Sequence, residues 1–290
     1  MVKLHIKKGD ESQFLYETVT TTPINDVLND LTAIFNGRLK VDRLCEDMKT
    51  LAQHGTMLPP NMQGLTDEQI VELKLVDEWA MKCVPSGGSI VCRDEIGRRN
   101  GCAPNEKMAE VLTKTVKEAK DLISKNQLKA DVCLTQAKVQ DALDMLRGAV
   151  MIVYPMGLPP HDPIRLELEN NEDLTGTQAS LEVIEPANSS LWWAGKEMIR
   201  GKLLKDFIGS NEKTKIIAKL QKKGQGAPAR EKVVSEDDQK NMMAYYYKKQ
   251  EEFKKLEKAE EDSYLDSPWS DNSSLKKQFH GLGNIKWGPR

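Results

Sequence analysis

Residues 3–37 read KLHIKKGDESQFLYETVTTTPINDVLNDLTAIFNG, and this stretch decides the fold class. Leu4 and Ile6 alternate with polar neighbours over 3–8, and residues 14–19, from Phe14 to Val19, are rich in β-formers. Both segments read as strands. Gly9, Asp10, Glu11 and Ser12 between them supply turn chemistry, so the two form a hairpin. A helix follows directly, with Thr22 as N-cap and Pro23 at the first helical position. Ile24, Val27, Leu28, Leu31 and Phe35 share one face of it, and Gly37 closes it. Strand, strand, helix opens a mixed α+β domain.

Working outward, residues 38–147 carry helix signals. Val41, Leu44, Cys45, Met48 and Leu51 fall at helical spacing, with a stop at His54 and Gly55. Thr66 and Gln69 have the spacing of a capping box. Glycines and a proline punctuate the stretch from Val84 to Gly101, which reads as irregular. Met108, Val111, Leu112, Ala119, Leu122 and Ile123 form another stripe, and Thr135 caps a helix ended by Gly148. Strand character returns at 149–154, 164–168 and 181–184. The expected architecture is therefore α+β: a small β-grasp (ubiquitin-like) sheet interrupted by a helical insertion. It divides into an α+β domain over 1–187, with strands and helix at 1–37, the insertion at 38–147 and strands at 149–187. A helical C-terminal region over 188–290 follows, with helices at 189–208, 211–222 and 236–262 and an extended tail.

Composition excludes several function classes. The chain is 39% hydrophobic and 30% charged, enough apolar material for a core. Its net charge of −2 offers no global attraction to nucleic acid or anionic lipid. The N-terminus alternates charge with aliphatics and does not read as a signal peptide. The apolar run from Ala149 to Tyr154 is too short to span a bilayer. Five widely spaced cysteines suit a reduced, cytosolic state better than a disulfide framework. Cys83, Cys92 and Cys102 lack the short spacings of a zinc site and read as free thiols. Gly209 to Thr214 lacks the second glycine and the preceding strand of a phosphate loop, and no histidine is placed to activate a nucleophile. No catalytic residue, cofactor site or metal site is expected.

Three features suit binding to protein. Between Lys202 and Lys232 there are nine Lys or Arg against three acids, a local balance of +6. Lys215, Lys219, Lys222 and Lys223 line or end the expected 211–222 helix, beside the loop from Gly224 to Arg230. Such a cluster can receive an acidic peptide. On a helical wheel Leu191, Trp192 and Met198 share a core face, whereas Trp193 falls outside it with Arg200 and Leu204, either covered by another element of the chain or presented to a partner. In the 236–262 helix Met242, Tyr246, Phe253 and Leu256 form a narrow apolar seam, and Trp269 and Trp287 stand as anchors in the tail beyond.

Longer motifs carry a resemblance. LPPNMQGLT from Leu58, GRRNG from Gly97, RGAVMIVYPMGLPP from Arg147, NEKTKIIAK from Asn211, KGQGAPARE from Lys223 and NIKW from Asn284 resemble the Kurly family, cilia- and flagella-associated protein 298. The resemblance implies a protein of the cytoplasm and the cilium basal body, needed for cilium motility through assembly of dynein arms and linked to planar cell polarity and cilium positioning. Dynein arm assembly factors, and dynein subunits with them, are the implied partners. It brings no catalytic residues and no defined binding residues. The resulting expectation is a non-enzymatic interaction protein; the alternative is a stable structural component of basal body or axoneme, and an enzyme is the weakest reading.

Overall fold

The computed structural model describes residues 1–229 and 236–266. Two compact units divide the chain, Met1–Arg230 and Glu231–Arg290. The first opens with the hairpin β1 (Val2–Lys8) and β2 (Glu11–Thr18), followed by α1 (Ile24–His54). Next come α2 (Asp67–Glu72), α3 (Glu78–Lys82), β3 (Ser89–Val91), β4 (Cys102–Pro104), α4 (Glu106–Ile123), α5 (Asn126–Lys129), α6 (Gln136–Val153), α7 (Pro163–Leu168) and α8 (Gln178–Glu182). A 3-10 turn leads into β5 (Ser189–Trp193), β6 (Lys196–Glu197), α9 (Lys205–Ile208) and β7 (Lys215–Lys222). The second unit contains α10 (Glu236–Asp266).

Five strands form one mixed sheet in the order β2-β1-β7-β5-β6. β1 and β2 are antiparallel, with a register shift between Ile6 and Lys7. β7 lies parallel to β1, Lys3 opposite Lys215 and Lys7 opposite Lys219. β5 is antiparallel to β7 and turns into β6 through Ala194 and Gly195, both at positive φ. The inner face carries Val2, Leu4, Ile6, Phe14, Tyr16, Leu191, Ile216, Ala218 and Leu220 into one continuous core with α1, α4 and α6. α1 is buried far around its circumference because this core surrounds it, from Ile24 at its start to Ala52 at its end.

The start of α1 differs from its expected cap. Pro23 occupies the N-cap position with no side-chain hydrogen bond, and the Thr22 hydroxyl pairs instead with that of Thr18 at 2.9 Å. The Ile24 N–H, which has no partner within the helix, donates to the Lys202 carbonyl at 2.9 Å, so backbone from a distant part of the chain does the capping. Gly37 does not end the helix; a Cβ there would meet Val139 Cγ1 at 2.6 Å, so glycine lets α6 approach closely. The true stop is Gly55, at φ +79°, where any Cβ would meet the Cys102 carbonyl oxygen at 2.2 Å. The expected Thr66–Gln69 capping box is present in both its arms.

Several expected strands are helices, and the reverse. Residues 149–153 form the end of α6 and Tyr154 its C-cap, Gly148 lying inside the helix with open space where a Cβ would sit. A short apolar run cannot distinguish a buried helix end from a buried strand. Residues 164–168 are α7, capped by Asp162, whose carboxylate accepts the Ile164 N–H at 3.0 Å. Most of 181–184 belongs to α8 or its exit. Residues 189–208 and 211–222, expected to be helical, instead supply β5, β6, the short α9 and β7. The sheet thus resumes at residue 189 rather than at 149, and the compact unit continues through residue 222 and on to Arg230. β3, within the irregular 84–101 stretch, pairs with β4 just beyond it as a separate small ribbon.

Gly37→Ala gains about 1 kcal/mol in helix propensity but forces an overpacked contact worth about 1–3 kcal/mol. The expected outcome in urea denaturation is net loss of stability, with most of the loss recovered when Val139→Ala is added as the second arm of a double-mutant cycle.

Candidate protein-docking surfaces

Alternation along each strand sorts the candidate residues between two faces. In β7, Ile216, Ala218 and Leu220 point into the core, so Lys215, Ile217, Lys219 and Gln221 point out. The parallel register sets Lys3 beside Lys215, His5 beside Ile217 and Lys7 beside Lys219. Two rows of lysine therefore cross the outer face, with Ile217 between them at 43% exposure.

Much of that charge is already answered within the chain. Asp131, after α5, pairs with both Lys3 and Lys215, the second at 2.9 Å. These hydrogen bonds, Lys3 first, hold the Asp131 carboxyl down at about 2, below the usual carboxylate range. Lys219 is only 7% exposed; its ammonium donates to the Ala229 carbonyl at 2.9 Å and lies 3.5 Å from Asp10. Gln221 also donates to the Gly226 carbonyl, so the segment after β7 doubles back over the outer face. Lys222 donates to the Leu181 carbonyl at 2.7 Å at the strand end. Lys223 is exposed. The structure does not gather the four lysines on one open helix face, because the residues form a strand and the loop beyond it returns to cover Lys219. Arg230, Trp269 and Trp287 lie outside the described residues.

The two adjacent tryptophans exchange roles. Trp193 lies opposite Ala218 on the inner face and packs, partly buried, against the core. Trp192 lies opposite Lys219 on the outer face, half-buried, its indole N–H donating to Ser190 Oγ at 3.2 Å. Helical spacing had grouped Trp192 with the core; strand spacing sends neighbours to opposite sides. A period-2 reading of Ser189 to Trp193, ended by the Ala194–Gly195 turn, is the signal that finds Trp192. Ala-Gly is a less conspicuous hairpin turn than Asn-Gly, which is why the turn is easily passed over.

α10 carries a different kind of surface. Met242 is 50% exposed, Leu256 62%, Tyr246 64% and Phe253 65%. Their spacing of four, seven and three residues gives the seam of a helix prepared for one other helix. Among the described residues no helix is long and apolar enough to cross a membrane, and no three His, Cys, Asp or Glu side chains are arranged to hold a metal ion.

Comparison with known proteins decides the family. The chain is 66% identical to cilia- and flagella-associated protein 298 of Danio rerio over 290 residues, covering 100% of both chains. The chain belongs to the cilia- and flagella-associated protein 298 family. The human protein of that name is 62% identical, again over 100% of both chains, and the Drosophila melanogaster protein is 50% identical over 99% of each. The family model for cilia- and flagella-associated protein 298 matches residues 189–285, a span that begins with β5 and takes in β7 and α10. Membership gives the chain a cilium- and flagellum-associated role. No solved structure matches it.

The geometry separates two lysines that the sequence treats alike. Lys223→Glu should leave the thermal midpoint nearly unchanged, as expected for an exposed position. Lys219→Ala removes a near-buried donor from the Ala229 carbonyl and should cost about 1–3 kcal/mol. Thermal unfolding of the two variants checks the difference.

Proposed function

We propose that this chain is a non-enzymatic interaction protein for motile cilia, acting in the cytoplasm in the assembly of axonemal dynein arms. Its partners on this reading are dynein arm assembly factors and, through them, dynein subunits. A role at the cilium basal body in planar cell polarity and cilium positioning belongs to the same reading. The observation that carries it is the aromatic seam of α10. Family membership supplies the ciliary context, and the exposed Met242, Tyr246, Phe253 and Leu256 supply a means of association. Exposed large apolar side chains at regular spacing favour burial against a partner, at roughly 25 cal/mol for each Å² removed from water.

The sheet supports a finer reading of the fold. The order β2-β1-β7-β5-β6, with β1 parallel to β7 beside a hairpin and a helix, supports reading the sheet as a ubiquitin-like β-grasp. In this reading the helical insertion lies between the grasp helix α1 and the third strand β5. The outer face carrying Trp192, Ile217 and Lys223's neighbouring loop then serves as an accessory docking surface, and Arg230, Trp269 and Trp287 remain candidate contacts.

A second reading, a stable structural component of basal body or axoneme, is favoured by the length of α10, about 46 Å at 1.5 Å per residue. Salt and detergent extraction of cilia-building cells separates the two. An assembly protein stays in the cytosolic fraction; a structural part resists extraction.

Replacing Met242, Tyr246, Phe253 and Leu256 by alanine keeps helix propensity and removes the seam. Co-purification with dynein arm assembly factors should fall at least about tenfold, the equivalent of about 1.4 kcal/mol. Undiminished co-purification at normal protein levels would refute the seam as the docking element.

A further inference from the structure

Between Gly64 and Lys82 the first unit carries an arm that folds without burying any described side chain. Thr66 opens α2 with both halves of the capping box: its Oγ1 accepts the Gln69 N–H at 3.4 Å, and Gln69 Oε1 accepts the Thr66 N–H at 3.0 Å. The helix closes with a pair of bonds, Leu75 N–H to the Ile70 carbonyl and Lys74 N–H to the Val71 carbonyl, with Lys74 at φ +53°. The Asp77 carboxylate then caps α3, accepting the Trp79 N–H at 2.9 Å and the Ala80 N–H at 3.2 Å. Both feet of the arm are fixed. Met62 and Cys83 are buried, Gly64 N–H donates to the Gly97 carbonyl at 2.9 Å, and Ser86 N–H donates to the Val153 carbonyl at 2.7 Å. The sequence motifs that begin at Leu58 and Gly97 therefore meet at the base of the arm.

The apolar side chains of the arm face water. Val71 and Val76 are each 76% exposed, Leu73 59% and Met81 86%. Ordering a segment costs conformational entropy, and burial is what ordinarily offsets it. Here local hydrogen bonds set the shape and no burial follows. Such an element is preorganised for a surface outside the chain, because a binder already in its bound shape loses less freedom on association.

Charge states the kind of surface. Residues 66–82 hold five acids against two lysines, Lys74 and Lys82. Lys82 is engaged on the arm itself, 4.9 Å over the Trp79 ring and 3.9 Å from Glu78. Glu68 and Glu72 are exposed one turn apart on α2, a like-charge pair that weakens the helix. Val71, three residues from Glu68, lies on the same side. A lysine or arginine set between the two glutamates removes their repulsion, and an apolar neighbour on the same partner covers Val71. The same charge repels an anionic membrane and a nucleic acid.

We infer that the 66–82 arm docks a segment of another protein that presents lysine or arginine beside large apolar side chains. The cationic group seats against Glu68 and Glu72, and the apolar group takes Val71 out of water. The inference rests on residues of the first unit alone and stands whether or not the α10 seam binds assembly factors.

The test is fluorescence anisotropy on the full chain. The probe is a fluorescein-labelled amphipathic peptide of leucine and lysine, about fourteen residues or four helical turns long. One control peptide replaces every lysine by glutamate, and a second replaces every leucine by serine. Saturable binding of the leucine–lysine peptide is expected, weakened about tenfold or more by Glu68→Lys with Glu72→Lys, both exposed positions. Val71→Ser should weaken it as well, and neither control should match the parent peptide. Amide hydrogen exchange locates the contact, with new protection expected at 66–82 when the peptide is added. No saturable binding below about 1 mM, full affinity in the charge-reversed chain, an equally tight control peptide, or protection confined to α10 would overturn the proposal. Sedimentation of the unliganded chain supplies the remaining check. A dimer that Val71→Ser dissociates would show that a second copy covers the arm, which also overturns it.

Discussion

The parallel pairing of β1 with β7 is the constraint on which the first unit depends. It joins residues 3–7 to residues 215–219, so nearly the whole unit is the connection between two adjacent strands. Parallel strands cannot be joined by a tight turn and require a crossover. Here the crossover contains α1, the helices after it and the returning pair β5 and β6. α1 then has the sheet on one side and α4 and α6 among its other neighbours, which explains why a 31-residue helix buries residues along its full length. Asn36, in the middle of α1, shows the same closure at atomic scale. Its side chain exchanges hydrogen bonds with the backbone of Ile184 at 2.7 and 3.0 Å, as a strand partner would.

How much of this the sequence discloses follows from which interactions are local. The hairpin, the capping box at Thr66 and the helices α4 and α6 are set by neighbours within a few residues, and their signals are plain. Gly37 and Gly148 look like helix ends because glycine lowers helix propensity, yet both lie inside helices whose packing overrides that preference. β5 is only five residues long, and β7 mixes four apolar residues with three lysines, so local preference says little. The strand state of β7 comes from pairing with β1 across about two hundred residues, and that of β5 from pairing with β7. That information is non-local, and periodicity does not contain it. The β-grasp expectation reached a mixed sheet with an N-terminal hairpin, but placed its second half about forty residues too early.

The same misreading of period carries over to the candidate surfaces. Taken as a helix, residues 211–222 gather four lysines; as a strand they place Lys215 and Lys219 outward and bind them to Asp131, Asp10 and the Ala229 carbonyl. Charge that is engaged within the chain has less to offer a partner. The seam of α10 was readable because its spacing is set within a single helix. A cavity along α1 was not, since Asp42, Glu46 and Asp47 line it only together with Glu167 and Glu182 from α7 and α8.

Residue-resolved amide hydrogen exchange of the full chain tests the joining of the two chain regions most directly. If β1–β7 pairing holds the unit together, the amides of β1, α1, β5 and β7 exchange through one shared opening with a common free energy. Exchange of β5 and β7 through a separate, lower-energy opening that leaves β1 and α1 protected would contradict it.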